Sequence, residues 1–481
     1  MFGGKFESTD SDSGQTVANF NAFEYQTTGS RARDTCEDGK EKPVLLGKSA
    51  VIEQARKMFD VWDKNKNGVL TYDELVSEIE NKNNKAETAQ VLAALYGTRK
   101  TLQDMNRDAG FLNKEFGISK GDLDVAGKVI EWKAKQTNNP YSLEGVKALD
   151  RDHDGYICRN ELEIASRDRT LPKKERELID FYIKNDDNRD LVSTTDMLTY
   201  FTKNDMGDRA DKFLNRMDMI LARTHDMQTR GTNDLFADQN PDIYGVAQGV
   251  LGDCYFMASL AAVAHNYPEI IKNMIRDNPD GTYTVTFPGA KDEPITIDPP
   301  TESERGLFAG AADHGKWAPI IEKAYGTFCQ KQFYRRTILN MSGGNLPSEG
   351  ADGGGVNLGH LLHILTGKST DQDWLAIPVS VLQRIPPGPV SEIITKAKLD
   401  ASVGTDRIEK TPVVAWQKPG VSTSVSDVTN HVYSVLEFDR TAKDGGSVTL
   451  YNPWGHKETI SFTQFKKRFH VVAYVKPDKK N

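Results

Sequence analysis

Two twelve-residue segments leave the first half of this chain little conformational freedom. Asp63-Lys-Asn65-Lys-Asn67-Gly68-Val69-Leu70-Thr-Tyr-Asp-Glu74 and Asp150-Arg-Asp152-His-Asp154-Gly155-Tyr156-Ile157-Cys-Arg-Asn-Glu161 repeat one pattern. Side-chain oxygens stand at positions 1, 3 and 5, glycine at 6, an apolar residue at 8 and glutamate at 12. A hard cation such as calcium takes six to eight oxygens at about 2.4 Å, glycine permits the sharp bend, and the closing glutamate can bind through both oxygens. The expected ligands are Asp63, Asn65, Asn67, the Val69 carbonyl and Glu74 in the first loop. In the second they are Asp150, Asp152, Asp154, the Tyr156 carbonyl and Glu161. Ile52, Ala55, Phe59 and Trp62 recur at helical spacing before the first loop, and Leu75 and Ile79 continue an apolar face after it.

Such helix–loop–helix units, EF-hands, generally fold in pairs, and two degenerate partners fall at the right distances. Phe111 to Asp122 keeps apolar Ile118 at position 8 and an acid at 12, but lacks the first ligand and the glycine. Asn185 to Asp196 keeps Asn185, Asp187, Val192 and Asp196, but puts Arg189 at position 5 and Asp190 where glycine belongs. Four hands in two pairs would then hold two working sites. Ligand charge ranks them: the 150–161 loop gathers four carboxylates, whereas the 63–74 loop has only Asp63 and Glu74 and carries Lys64 and Lys66. The later loop is expected to bind more tightly.

The second half has a different signature. Gln248-Gly-Val-Leu-Gly-Asp-Cys254-Tyr places a lone thiol at the head of the apolar run Cys254 to Val263, with Gly252-Asp253 as turn and N-cap. At a helix N-terminus the dipole favours thiolate over thiol. A cysteine in such a run is ordinarily a buried structural thiol. Downstream, however, Asn430-His431-Val-Tyr-Ser-Val-Leu436 alternates like a half-buried strand, and Val448-Thr-Leu-Tyr-Asn452-Pro-Trp-Gly455 reads as a strand stopped by proline. His431 and Asn452 can therefore sit on adjacent strands, the amide fixing the imidazole's tautomer and angle. Gln248, with the backbone N–H of Cys254, is the candidate oxyanion donor.

QGVLGDCYFMASLAAV, NHVYSV and YNPWG, in that order, resemble the cysteine, histidine and asparagine blocks of the calpain family of papain-like cysteine proteases. Trp317 to Tyr325 and Ser342 to Gly350 are similar to segments the family places between its cysteine and histidine, and Ile460 to Phe465 looks like the end of its catalytic core. The resemblance covers about residues 235 to 475. It implies a catalytic set of Cys254, His431, Asn452 and Gln248, with Trp454 shielding the His–Asn bond. It departs at Tyr255, where the family has tryptophan, and at Asn430, where it has glycine, so the backbone is expected to differ there. The family's core binds calcium partly through an aspartate three residues before the glutamine. Here that position is Gly245, while Glu322 matches the other acidic ligand.

The expected architecture is α+β and multidomain: an N-terminal all-α EF-hand domain, then a two-lobed papain-like core of helical and β-rich lobes. The boundaries read as a disordered tail over 1–46, EF-hands over 47–204, a helical linker over 205–234, a helical lobe over 235–370 and a β-rich lobe over 371–481. Residues 376 to 475 read as strands punctuated by Ile385-Pro-Pro-Gly-Pro389. A net charge of −8, partly in the calcium loops, argues for cation binding and against a nucleic-acid partner. Cysteines 36, 158, 254 and 329 form no disulfide framework, which suits an intracellular, cytoplasmic thiol enzyme. The N-terminus lacks the pattern of a signal peptide, and no apolar run is long enough for a membrane span. His360 and His363 read as helix packing rather than zinc ligands. The expected partners are protein substrates and calcium, with any inhibitor or regulatory partner unknown. Two rival readings are an inactive calcium-sensing adaptor and a thiol acyltransferase of the transglutaminase kind.

Overall fold

Each calcium-type loop is held between an apolar helix and a capped one. Helix Lys48–Trp62 buries Val51, Ile52, Ala55, Phe59 and Trp62, and helix Tyr72–Ile79 opens with a capping box between Thr71 and Glu74. Between them strand Val69–Thr71 pairs antiparallel with Gly117–Ser119, setting Leu70 opposite Ile118. The second loop repeats this: strand Tyr156–Cys158 pairs with Leu191–Ser193, Ile157 opposite Val192. The computed structural model describes residues 43–105, 117–135, 142–185, 191–203, 209–237, 240–336, 357–375, 389–407, 409–418 and 430–477. The tail to residue 42, the opening residues of 111–122, residues 186–190, the 342–350 block and the run 385–388 lie outside them.

Helices Ala86–Met105 and Arg209–Thr229 pack against each other through the middle of this region. The second of these buries Phe213, Leu214, Met217, Ile220 and Leu221, so the helix read as a linker is a core element. Its apolar cluster runs on without a break into Val250, Leu251, Leu307 and Phe308. The core of the calcium-loop region therefore takes in these four residues from beyond residue 235, while most of the other buried apolar residues there form two further clusters.

In the second half, helix Cys254–Asn266 buries every residue from Tyr255 to Ala264. Around it stand helices Trp317–Arg336 and Leu358–Thr366 and a three-stranded antiparallel sheet of Ile275–Asp277, Tyr283–Val285 and Ile295–Ile297. Those strands are too short to leave a period in the sequence. A six-stranded antiparallel sheet follows, in the order His456–Ser461, Ser447–Asn452, Val432–Asp439, Val413–Gln417, Phe469–Val475 and Thr370–Trp374.

Two expectations are corrected here. Helix Pro389–Val403 occupies a segment read as strands. Pro389, taken as punctuation, stands at the first helical position, where a missing N–H costs nothing. Strand Val432–Asp439 is not half-buried: Val432 to Leu436 are all buried, because the cysteine helix and helix Pro389–Val403 both pack against it. Sheet centre and helix are joined directly, Ser434 Oγ donating to the Ala258 carbonyl at 2.7 Å. Among the described residues no helix is long and apolar enough to cross a membrane.

Candidate functional site

Cys254 is the first residue of its helix, half-buried, and forms no disulfide among the described residues. Asp253 holds the N-cap position, yet its carboxylate does not cap the helix; its backbone carbonyl takes the N–H groups of Phe256 and Met257 at 2.8 and 3.1 Å. The side chain instead turns inward to Glu322, which is fully buried. Burial, reinforced by the neighbouring Asp253 carboxyl, pushes Glu322 well above the usual carboxylate range. Glu322 also accepts the Ala309 N–H at 2.5 Å. At Gly245 a Cβ would lie 2.8 Å from the Trp317 indole, so no side chain fits. The two positions matched to a core calcium site thus offer no pair of free oxygens.

The imidazole is more tightly specified. His431 is 3% exposed, and its Nε2 lies 2.9 Å from Asn452 Oδ1. The same oxygen accepts the backbone N–H of Trp454 at 3.0 Å, which fixes the amide's orientation because a backbone N–H can only donate. His431 Nε2 must therefore carry a proton toward Asn452, leaving Nδ1 as the ring nitrogen that can exchange one. The Trp454 ring lies 4.5 Å from the imidazole, centroid to centroid, and Tyr433 meets it edge-on at 5.1 Å. Asn430, where the resemblance departs from glycine, takes a φ of 62°, the left-handed conformation that asparagine tolerates, and its Oδ1 accepts the Trp416 Nε1–H at 3.0 Å.

Gln248 joins the two halves of the site. Its backbone N–H donates to the Pro453 carbonyl at 2.8 Å, beside Asn452. Its side-chain Nε2 donates to the Leu251 carbonyl at 2.7 Å and approaches Asp253 Oδ1 at 3.5 Å. One amide hydrogen is thus firmly held and the other weakly. His431, immediately before strand Val432–Asp439, and Asn452, at the end of the neighbouring strand, are joined directly, the Gln248 backbone is tied to the turn after Asn452, and the helix that Cys254 opens packs against the histidine's strand.

Both twelve-residue loops are wound inward by backbone N–H bonds to their own side-chain oxygens. In the first, Asp63 Oδ2 accepts from Gly68 N at 2.9 Å, Asn67 Oδ1 from Val69 N at 2.8 Å and Glu74 Oε1 from Lys64 N at 2.8 Å. In the second, Asp150 accepts from Gly155 N at 3.0 Å, Asp154 from Tyr156 N at 2.8 Å and Glu161 from Arg151 N at 2.6 Å. Gly68 and Gly155 take φ of 84° and 89°, which is why glycine stands there. The carboxylate oxygens of Asp150, Asp152 and Asp154 lie within 4.8 Å of one another. Asp154 is held above its ordinary range, first by burial and then by those carboxylates and Glu161, a repulsion a cation would relieve. Lys64 and Lys66 turn away from the first loop, to Glu78 and the Asp60 carbonyl.

Sequence reasoning passed over Arg216, Arg223 and Ser434. Arg223 is buried in helix Arg209–Thr229 and Arg216 half-buried, and charge within a run so rich in apolar residues was the available signal.

Residues 200–465 match the family model for calpain family cysteine proteases, more than half of the 481 residues, and residues 147–164 match an EF hand. No curated protein matches the chain.

Proposed function

The chain belongs to the calpain family of cysteine proteases and carries an EF hand; from this we propose that it is a calcium-responsive endopeptidase that cleaves protein substrates through Cys254, His431 and Asn452. The observation that carries the reading is the 2.9 Å bond between His431 Nε2 and Asn452 Oδ1, made beside a strand that packs against the helix headed by Cys254. That bond commits one ring nitrogen, and in this reading the other serves the thiol.

In the proposed cycle the Cys254 thiolate adds to the peptide carbonyl, forming an S–C bond and an oxyanion. Gln248 and the Cys254 N–H stabilise that charge, the glutamine by swinging its weakly held amide hydrogen from Asp253 toward the cleft. His431, as imidazolium, protonates the leaving amine as the C–N bond breaks. Water then attacks the thioester, its proton passing to His431, and the S–C bond breaks to return the thiolate. Asn452 keeps the ring aligned throughout.

We assign residues 47–204 as an EF-hand domain of two pairs, and 235–370 and 371–481 as the two catalytic lobes. Asp63, Asn65, Asn67, Val69 and Glu74 would hold one calcium, and Asp150, Asp152, Asp154, Tyr156 and Glu161 a second. Calcium bound there supplies positive charge that draws the loop oxygens together and stiffens the flanking helices. The helices after the second loop reach the β-rich lobe, where Tyr200 meets His456 edge-on at 5.0 Å, which gives loop ordering a direct route to the cleft.

Casein digestion with calcium or with chelator, for the parent chain and Cys254→Ala, tests this reading. Calcium-stimulated cleavage lost in the variant is expected, as is a shifted calcium dependence when Asp150 and Glu161 are both replaced by alanine. Cleavage that survives Cys254→Ala overturns the catalytic assignment; cross-linked rather than shortened products favour acyl transfer; and indifference to chelator reduces the loops to structural elements.

A further inference from the structure

We propose that Arg223, a residue outside the catalytic set, is a positioning residue that sets the oxyanion-binding loop from the helix Arg209–Thr229. The loop from Ala247 to Val250 carries Gln248 and is laid against residues 307–310 by two backbone bonds, Val250 N to Leu307 O and Gly310 N to Ala247 O, each 2.8 Å. It lies so close that a Cβ at Gly249 would run into the Leu307 and Phe308 carbonyls. Arg223 Nη2 reaches this junction from the helix: it donates to Phe308 O and Gly310 O at 2.6 Å and to Ala247 O at 3.3 Å. Arg216, about two turns earlier on the same face, donates to Val250 O at 2.9 Å and to Gly97 O at 2.5 Å. Both ends of the four-residue loop are therefore gripped by guanidinium groups from one helix, with Gln248 between them.

The burial of Arg223 makes this an expensive arrangement to keep for packing alone. The residue is 3% exposed. A desolvated guanidinium is tolerated because three carbonyl dipoles converge on it and Glu322, Asp196 and Asp226 lie near enough to favour its charge. Glu322 in turn holds Ala309 N, between the two carbonyls that Arg223 takes most closely, and reaches Asp253 beside the thiol. A single buried network thus fixes the strip 307–310, the Gln248 loop and the residue before Cys254.

This inference rests on the proposed role of Gln248, and its test separates the two. For the full chain, kcat and KM on a peptide amide and the inhibition constant of a matching peptide aldehyde are measured for Arg223→Met, Arg223→Lys, Gln248→Ala and the double variant Arg223→Lys with Gln248→Ala. Rates are normalised to titrated thiol. The aldehyde reports the hole directly, because its thiol adduct places an oxyanion there. Arg223→Met is expected to lower kcat about 10²-fold, comparable to removing one oxyanion donor, with KM changed less than about twofold. Arg223→Lys keeps charge and donors on a stem one atom shorter, so it folds where the methionine variant fails and loses kcat and aldehyde affinity by a matching, smaller factor. In the Gln248→Ala background the lysine substitution should add less than about threefold, since residues acting through one interaction are not additive. Unchanged kcat and aldehyde affinity in Arg223→Lys, or its full effect persisting without Gln248, overturns the positioning role. A parent chain that hydrolyses normally when Gln248 is alanine overturns the oxyanion assignment instead.

Discussion

A histidine that serves a thiol needs one ring nitrogen committed and the other able to trade protons, and Asn452 meets that need with an oxygen locked by Trp454 N–H. Asn452→Ala should lower kcat by about 10²-fold, within the range that positioned acid–base groups contribute, while KM on the same peptide stays near its parent value. Asn430 offers a second check. Asn430→Val forces a β-branched residue to a φ of 62° and should cost about 1–2 kcal/mol in backbone strain, plus about 1 kcal/mol for the lost Trp416 bond. Asn430→Gly loses only the bond, so urea denaturation should separate the two. At this scale the bonded histidine and asparagine were legible because thiol chemistry asks for those residue types and the family resemblance supplied their order. The inward turn of Asp253 was not, since its partner Glu322 is remote in sequence and only the fold joins them.

Strands and helices show the same division between local signal and tertiary context. The helices flanking the first loop could be read directly, their apolar spacing being local. Strand Val432–Asp439 was found but its environment was misjudged, because Ser434 looks like a solvent-facing residue until Ala258 accepts its hydroxyl. Arg468, closing helix Phe462–Arg468, pairs with Glu458 on strand His456–Ser461 at 2.7 Å, the two side chains 2% and 3% exposed. Breaking such a pair leaves a buried charge unmatched, so Arg468→Met alone should cost about 3–5 kcal/mol. Arg468→Met with Glu458→Leu should recover most of that loss in a thermal melt.

At the scale of the molecule, the apolar cluster of the calcium-loop region extends to Val250, Leu251, Leu307 and Phe308, so loosening that region should also loosen the loop that carries Gln248. Acid should weaken the fold. Burial lowers His225 and His470 from the ordinary 6.5, with Lys418 adding to the effect at His470. The unfolded chain then binds more protons than the folded one as pH drops through 6.5 toward the folded values, and stability falls over that window. Melting temperature should decline from pH 7 to 5.5, and His470→Gln should flatten part of the slope. Whether Cys254 and His431 work as one unit is decided by alkylation with iodoacetamide at pH 6 followed by peptide mapping. Rapid modification is expected at Cys254 and slow modification at Cys158 and Cys329, whose thiols burial holds above their usual range, with the Cys254 rate collapsing in His431→Ala. A Cys254 rate no faster than those two, or one indifferent to His431, would contradict it.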